Sequence, residues 1–196
     1  MLKILGISGS MEENSTTLRV VGMALDTARE FGAEVRLLDL RETDLPMFRS
    51  RKESIDHGGR DTANEMVDWA EAFFLITPDY HGSMSGALKN FLDHYWSEFA
   101  GRLFGYGCVS HEKGLTVMDQ MRTAIRQCYG WSLPYGLSIN PQEDFSEDGT
   151  VKNQAFENRL RMTARDLTIY GTLLRDQFNR DLESDDAATF AARYRR

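Results

Sequence analysis

Cysteine is scarce. The 196 residues contain two, Cys108 and Cys128, too few for a disulfide framework or a cysteine-ligated cluster. One disulfide would satisfy the count, but two reduced thiols in the interior are the simpler reading. Long apolar runs are also missing. No stretch approaches a membrane span, and Met1-Leu2-Lys3-Ile4-Leu5-Gly6 lacks the charged stretch, apolar run and cleavage site of a secretory leader. A cytoplasmic, reduced setting without membrane partners is the expectation. Positive charge is short as well: 23 Lys and Arg face 30 Asp and Glu, a net charge of −7. The densest basic run, 49–52, is brief and followed by Glu53. Such a chain repels nucleic acid and anionic membrane surfaces.

Several signatures are absent too. There is no Gly-Lys-Ser/Thr ending of a nucleotide-triphosphatase loop and no Gly-x-Gly-x-x-Gly dinucleotide fingerprint. No Gly-x-Ser-x-Gly elbow supports a hydrolase triad. His57 and His94 have no partner at metal-ligand spacing, so no metal site is expected.

What is present alternates between two periods. Residues 2–7 form a short apolar run that ends in Ser8-Gly9-Ser10, a buried strand feeding a loop. Leu18, Val21, Leu25 and Ala28 recur at helical spacing, giving a helix that starts near Ser15. A second strand covers 35–40, and 41–60 is polar and irregular. Thr62 and Glu65 make a capping-box pattern ahead of Ala63, Met66, Val67 and Ala70. Residues 72–77 are the most apolar run, suited to a central parallel strand. A third helix carries Leu88, Phe91, Leu92 and Tyr95. Residues 103–110 read as a fourth strand, and Met118, Met121, Ile125 and Cys128 as a fourth helix. Residues 133–139 form a weaker fifth strand, with Pro134 at its start or on an edge. Phe156, Leu160, Thr163, Leu167, Tyr170 and Leu174 line a long last helix.

Repeated strand–helix alternation predicts an α/β fold: a doubly wound, five-stranded parallel sheet with helices on both faces. The predicted domain spans 1–180, followed by a charged tail, 181–196, that frays or packs on a partner subunit. The aromatics Tyr95, Trp96 and Phe99 look surplus to one small core and point the same way. Ligands of such folds sit at the carboxyl ends of the strands, where strand order reverses. Three loops therefore matter.

The first loop is Gly9-Ser10-Met11-Glu12-Glu13-Asn14-Ser15-Thr16-Thr17. Amides at a helix start, with the hydroxyls of Ser10, Ser15 and Thr17, can hold a phosphate without a basic residue. The plainer alternative is that Ser15 or Thr16 caps a helix and nothing more. Glu12 and Glu13 stand where an anion site would favour a cation. The second loop is Pro78-Asp79-Tyr80-His81-Gly82-Ser83-Met84-Ser85-Gly86-Ala87-Leu88-Lys89-Asn90. Pro78 shapes a turn, Ser83 is positioned to cap the next helix, and Gly86 allows close approach of a flat ligand. Lys89 reads as a solvated helix residue. The third loop, Ser110-His111-Glu112-Lys113-Gly114, is either a polar surface turn or a second border of the same site.

These two leading motifs resemble those of the NADPH-dependent FMN reductase family, which includes quinone, azo-dye and chromate reductases. That family pairs Gly-Ser-x-Arg-x-x-Ser-x-Asn/Thr with Pro-Glu-Tyr-Asn-x-Ser-x-x-Gly-x-Leu-Lys-Asn. The resemblance covers about residues 1–140 and implies a flavodoxin-like fold with FMN as cofactor and NADPH or NADH as co-substrate. It implies that Ser10, Ser15 and Thr17 hold the FMN phosphate, with Ser8 and Thr16 in the same cofactor-binding set. Pro78, Asp79, Tyr80, His81, Gly82 and Ser83 would border the isoalloxazine, with Ser110 and His111 nearby. Glu12 falls where the family often has Arg. His81 replaces the common Asn; it still donates a hydrogen bond, and its charge can vary with pH. Asp44-Leu45-Pro46-Met47-Phe48 resembles the family's segment near the cofactor or a partner subunit, and 49–59 would form a substrate lid or a mobile loop. The implied reaction is ping-pong hydride transfer to a small acceptor such as a quinone or free flavin. No catalytic side chain is required, and homodimers or higher homo-oligomers are the implied assembly. Two rivals are a flavodoxin-type electron carrier without its own NAD(P)H oxidation and a signalling receiver domain. The receiver domain needs acidic residues after strand one, where this chain has Ile7-Ser8-Gly9.

Overall fold

A computed structural model describes residues 1–43, 45–49 and 58–194. The chain runs β1 (Lys3–Ser8), α1 (Thr16–Glu30), β2 (Glu34–Asp39), α2 (Gly58–Trp69), β3 (Ala72–Tyr80), β4 (Ser83–Met84), α3 (Gly86–His94), β5 (Leu103–Val109), α4 (Leu115–Gln127), β6 (Trp131–Ser132), β7 (Leu137–Ile139), α5 (Pro141–Asp144) and α6 (Gln154–Glu183). The sheet order is β2-β1-β3-β5-β6, with β7 also on β5, and all these pairings are parallel. This is the flavodoxin-like order, which reverses between β1 and β3.

Side-chain alternation on the strands builds two cores. Leu5 and Ile7, Phe73 and Leu75, and Phe104 and Tyr106 face α2, α3 and α4. Ile4, Phe74, Ile76 and Leu103 face α1 and α6. Gly105 belongs to the second face: a Cβ there would sit 2.6 Å from the Phe74 ring, so the missing side chain is what lets that ring lie on the sheet. Burial of each large apolar side chain contributes about 1.5–3 kcal/mol.

Several boundaries differ from the sequence expectation. β2 starts at Glu34 and ends at Asp39 rather than spanning 35–40. β3 runs on to Tyr80, because its end pairs antiparallel with β4. The fifth strand splits in two around Pro134, which has no N–H to offer the ladder. α2 starts at Gly58, so Thr62 is not a cap; its hydroxyl donates to the Gly58 carbonyl. On α6, Tyr170 is half exposed, and Gly171 faces the core instead, against Leu2. Tyr95 and Phe99 are buried in their own core; Trp96 is half exposed. Neither cysteine is in a disulfide. Past α6, a 3₁₀ turn (Phe190–Tyr194) folds back so that Phe190 and Tyr194 meet Phe178. The lid segment's residues 50–57, with His57, and Asp44 lie outside the described residues.

Candidate active site

The loops after β1, β3 and β5 gather at the carboxyl edge of the sheet. The first opens at Ser8, in register with Asp39 on one side and Ile76 on the other. Gly9 N–H donates to the Ile76 carbonyl over 2.8 Å. The Ser10 hydroxyl accepts the Glu12 N–H at 3.1 Å, and Ser15 is the α1 cap, accepting from Leu18 N–H at 3.1 Å. Of the two proposed caps, Ser15 takes the role and Thr16 begins the helix. Ser8, Ser10, Ser15 and Thr17 are all buried.

Ser8 Oγ has no hydrogen-bond partner despite full burial. Buried polar atoms are rarely left so. A Cβ on Gly6 would meet Val21 and Leu25 of α1, so by strand alternation Ser8 points to the same side, beneath the start of α1. A hydroxyl wanting a partner under a helix N-terminus fits a bound anion.

The second loop is a two-residue hairpin between Tyr80 and Ser83. His81 (φ 56°) and Gly82 (φ 74°) are both left-handed, as a type I′ turn requires. His81 takes this shape as one of the few non-glycine residues that tolerate it. Two devices hold the hairpin. Asp79 Oδ1 accepts the Gly82 N–H at 2.8 Å, and Asp79 Oδ2 accepts the Ser110 hydroxyl at 2.9 Å. From α4, Gln120 accepts the Ser83 hydroxyl at 2.9 Å and donates to the Gly82 carbonyl at 3.1 Å. The sequence expectation that Ser83 caps α3 is therefore not met. That role belongs to Ser85, which accepts the Leu88 N–H and donates to the Gly9 carbonyl at 2.5 Å. Ser85 thus ties the first loop to the second.

The third loop turns through two more left-handed residues, Lys113 and Gly114. Gly114 packs on Cys108: a Cβ would lie 2.6 Å from Sγ. Burial, with Asp79's carboxylate second, pushes the Cys108 thiol up to about 12, so it is no nucleophile. Between the second and third loops lies a cleft of about 460 Å³, bordered by Asp79, His81, Gly82, Ser110 and His111.

Of the thirteen predicted site residues, these five share the cleft, and Ser8, Ser10, Ser15, Thr16 and Thr17 surround the first loop. Pro78, Tyr80 and Ser83 do not line the cleft; Tyr80 is half exposed. Sequence reasoning missed Ser85, Gln120 and the buried Thr77, whose Oγ1 accepts the Ser85 N–H at 2.9 Å. Ser85 was legible as the residue just before Gly86; Gln120 had no local signal. The motif's Asn90 holds the segment after β2, accepting from Phe48 N–H at 2.7 Å and donating to the Pro46 carbonyl at 3.0 Å. Lys89 pairs with Asp93 on the surface, as expected.

A larger cleft of about 660 Å³ adjoins at His111 and Leu115. Several of its polar groups serve the fold. Asp144 is satisfied by Asn140 N–H and Asn153 Nδ2, and Arg159 covers the Tyr135 ring. The smaller cleft, bordered by the second and third loops at the carboxyl ends of β3 and β5, is the better candidate.

Comparisons with known proteins bear on the family and the fold. The family described as NADPH-dependent FMN reductase matches residues 2–143. An FMN-dependent NADPH-azoreductase of Staphylococcus aureus (strain USA300) is 28% identical over 172 residues, covering 82% of this chain and 90% of its own. Among solved structures, the flavoenzyme NAD(P)H:(acceptor) oxidoreductase FerB of Paracoccus denitrificans superposes with a TM-score of 0.72 at 16% identity, over 88% of this chain and 98% of its own. A flavodoxin, WrbA-like protein from Agrobacterium tumefaciens does so with a TM-score of 0.58 at 16% identity, over 90% and 99%.

Proposed function

The chain belongs to the NADPH-dependent FMN reductase family, and from that premise we propose that it passes a hydride from NADPH or NADH, through FMN, to a small acceptor such as a quinone, a free flavin or an azo compound. FMN and a reduced nicotinamide nucleotide are the cofactors of the family. When bound, FMN supplies the redox chemistry, and the protein binds, orients and excludes water.

In this reading the first loop takes the phosphate, through the α1 amides and the hydroxyls of Ser8, Ser10, Ser15, Thr16 and Thr17. The unpartnered Ser8 Oγ is the observation that carries it. The flavin ring lies against the second and third loops, in the cleft of Asp79, His81, Gly82, Ser110 and His111, with Pro78, Tyr80 and Ser83 of the same β3–β4 hairpin beside it. Asp79 holds the turn's shape, and exposed His81 offers a donor to the ring edge. No side chain is assigned as acid or base. We place the protein in the cytoplasm as a homodimer or higher homo-oligomer, by resemblance to the family. Among the described residues no helix is long and apolar enough to cross a membrane.

The test is the absorbance spectrum of the purified protein, before and after adding FMN and then NADPH. Bleaching of the bound flavin by NADPH is expected, with reoxidation by a quinone. Flavin binding without NADPH consumption would favour a flavodoxin-type carrier. A light-scattering mass equal to one chain would remove the oligomer.

A further inference from the structure

The first loop lacks a cation, and residues 12 and 13 are both glutamates. A phosphate ester drawn to the amides of α1 would meet two carboxylates. The helix terminus provides only about half a unit of positive charge, against a nearly doubly charged phosphate. A full positive charge nearby would offset that repulsion.

Arg41 stands in that place. The Leu40 N–H donates to the Ser8 carbonyl at 3.2 Å, which sets the end of β2 beside the start of the first loop. The next residue, Arg41, is pinned by its own N–H to Asp39 Oδ1 at 3.1 Å. Its Nη2 lies 3.7 Å from Glu13 Oε2, and its Nη1 pairs with Glu42. Both glutamates are largely exposed, at 74% and 68%. Exposed pairs of this kind are weak, whereas guanidinium and phosphate match in charge and geometry.

We propose that Arg41 is the phosphate-binding cation of this site, shared between Glu42 and Glu13 until it turns to the phosphate of the cofactor. The charge missing from the loop after β1 is supplied by the loop after β2. Glu13 then acts as a competitor for the same guanidinium. The proposal rests on assigning the first loop to the FMN phosphate.

Two flavins that differ only in the phosphate provide the test. Full-length apoprotein is titrated with FMN and with riboflavin by fluorescence quenching, at low and high salt. Arg41→Gln should weaken FMN by at least about tenfold, the scale of a hydrogen bond to a charged group, and leave riboflavin unchanged. Arg41→Lys should fall between. Glu13→Gln should tighten FMN by about twofold to threefold, and by less when Arg41 is already Gln, because only the direct repulsion is then relieved. The salt dependence of FMN binding should shrink in Arg41→Gln. Equal loss for both flavins, or loss for neither, overturns the role of Arg41 while leaving the site in place. Wild-type protein that binds riboflavin as tightly as FMN overturns the phosphate assignment itself, and this proposal with it.

Discussion

The Ser110 hydroxyl donates to Oδ2 of Asp79 across 2.9 Å, and so one carboxylate joins the loops after β3 and β5. Because Oδ1 holds Gly82, Asp79→Ala releases both loops at once. FMN binding should weaken by about 1–3 kcal/mol. In a double-mutant cycle with Ser110→Ala the two losses should be non-additive, with a coupling of about 0.5–3 kcal/mol. Strict additivity in titrated FMN affinities would show that the bond does not shape the site.

The serines of the first loop separate fold from ligand. Ser15→Ala removes a helix cap and should lower apoprotein stability by about 1 kcal/mol. Ser8→Ala removes a buried hydroxyl without a partner, so the apoprotein should lose nothing in urea denaturation, while FMN affinity falls. Ser8→Ala with unchanged FMN affinity would place the anion elsewhere.

Two glycines test backbone strain against crowding. Gly82 has φ 74° and open space around it, so Gly82→Val acts through the dihedral alone, at a cost of about 1–2 kcal/mol. It should impair flavin binding and NADPH-driven quinone reduction, with a small change in apoprotein Tm. Gly114→Ala adds a collision with Cys108 at 2.6 Å and should destabilise by about 1–3 kcal/mol more. Adding Cys108→Ala should restore little, because the Cys108 Cβ itself stands 2.7 Å away.

The Cys108 thiol, raised from 9.0 to about 12 by burial, gives a pH dependence. The folded state keeps this proton in a range where the unfolded state releases it. Its contribution is therefore fully present below pH 9.0 and declines as pH rises toward about 12, by at most about 1.4 kcal/mol per pH unit. The buried Tyr95 hydroxyl, also raised by burial, adds to the decline only above its ordinary value of 10.0. Urea denaturation between those two onsets should show a slope that Cys108→Ala flattens.

The parts of this molecule written in local periodicity were legible from the residues. Ile4 and Ile7, or Phe73 and Phe74, show a strand buried on both faces, and Val21 with Leu25 shows the stripe of α1. The two loop motifs pointed to both halves of the proposed site. What could not be read depends on contacts distant in sequence. Nothing local to Gln120 says that it reaches Gly82, 38 residues away. The cap at Ser85 was hidden because Ser83 fits the same rule and the short β4 pairing was unforeseen. Pro134 was read as tolerated within one strand, yet it divides the strand into two.

The turn at Phe190–Tyr194 shares a cleft with Lys3, Glu71 and Arg102, all beside the strands' starting ends. The last described residue thus sits at the pole opposite the three loops. A chain tethered to an electrode or resin beyond Tyr194 would present the face that carries the three loops outward, toward bulk solution. The same tether at Met11 would turn that face to the support.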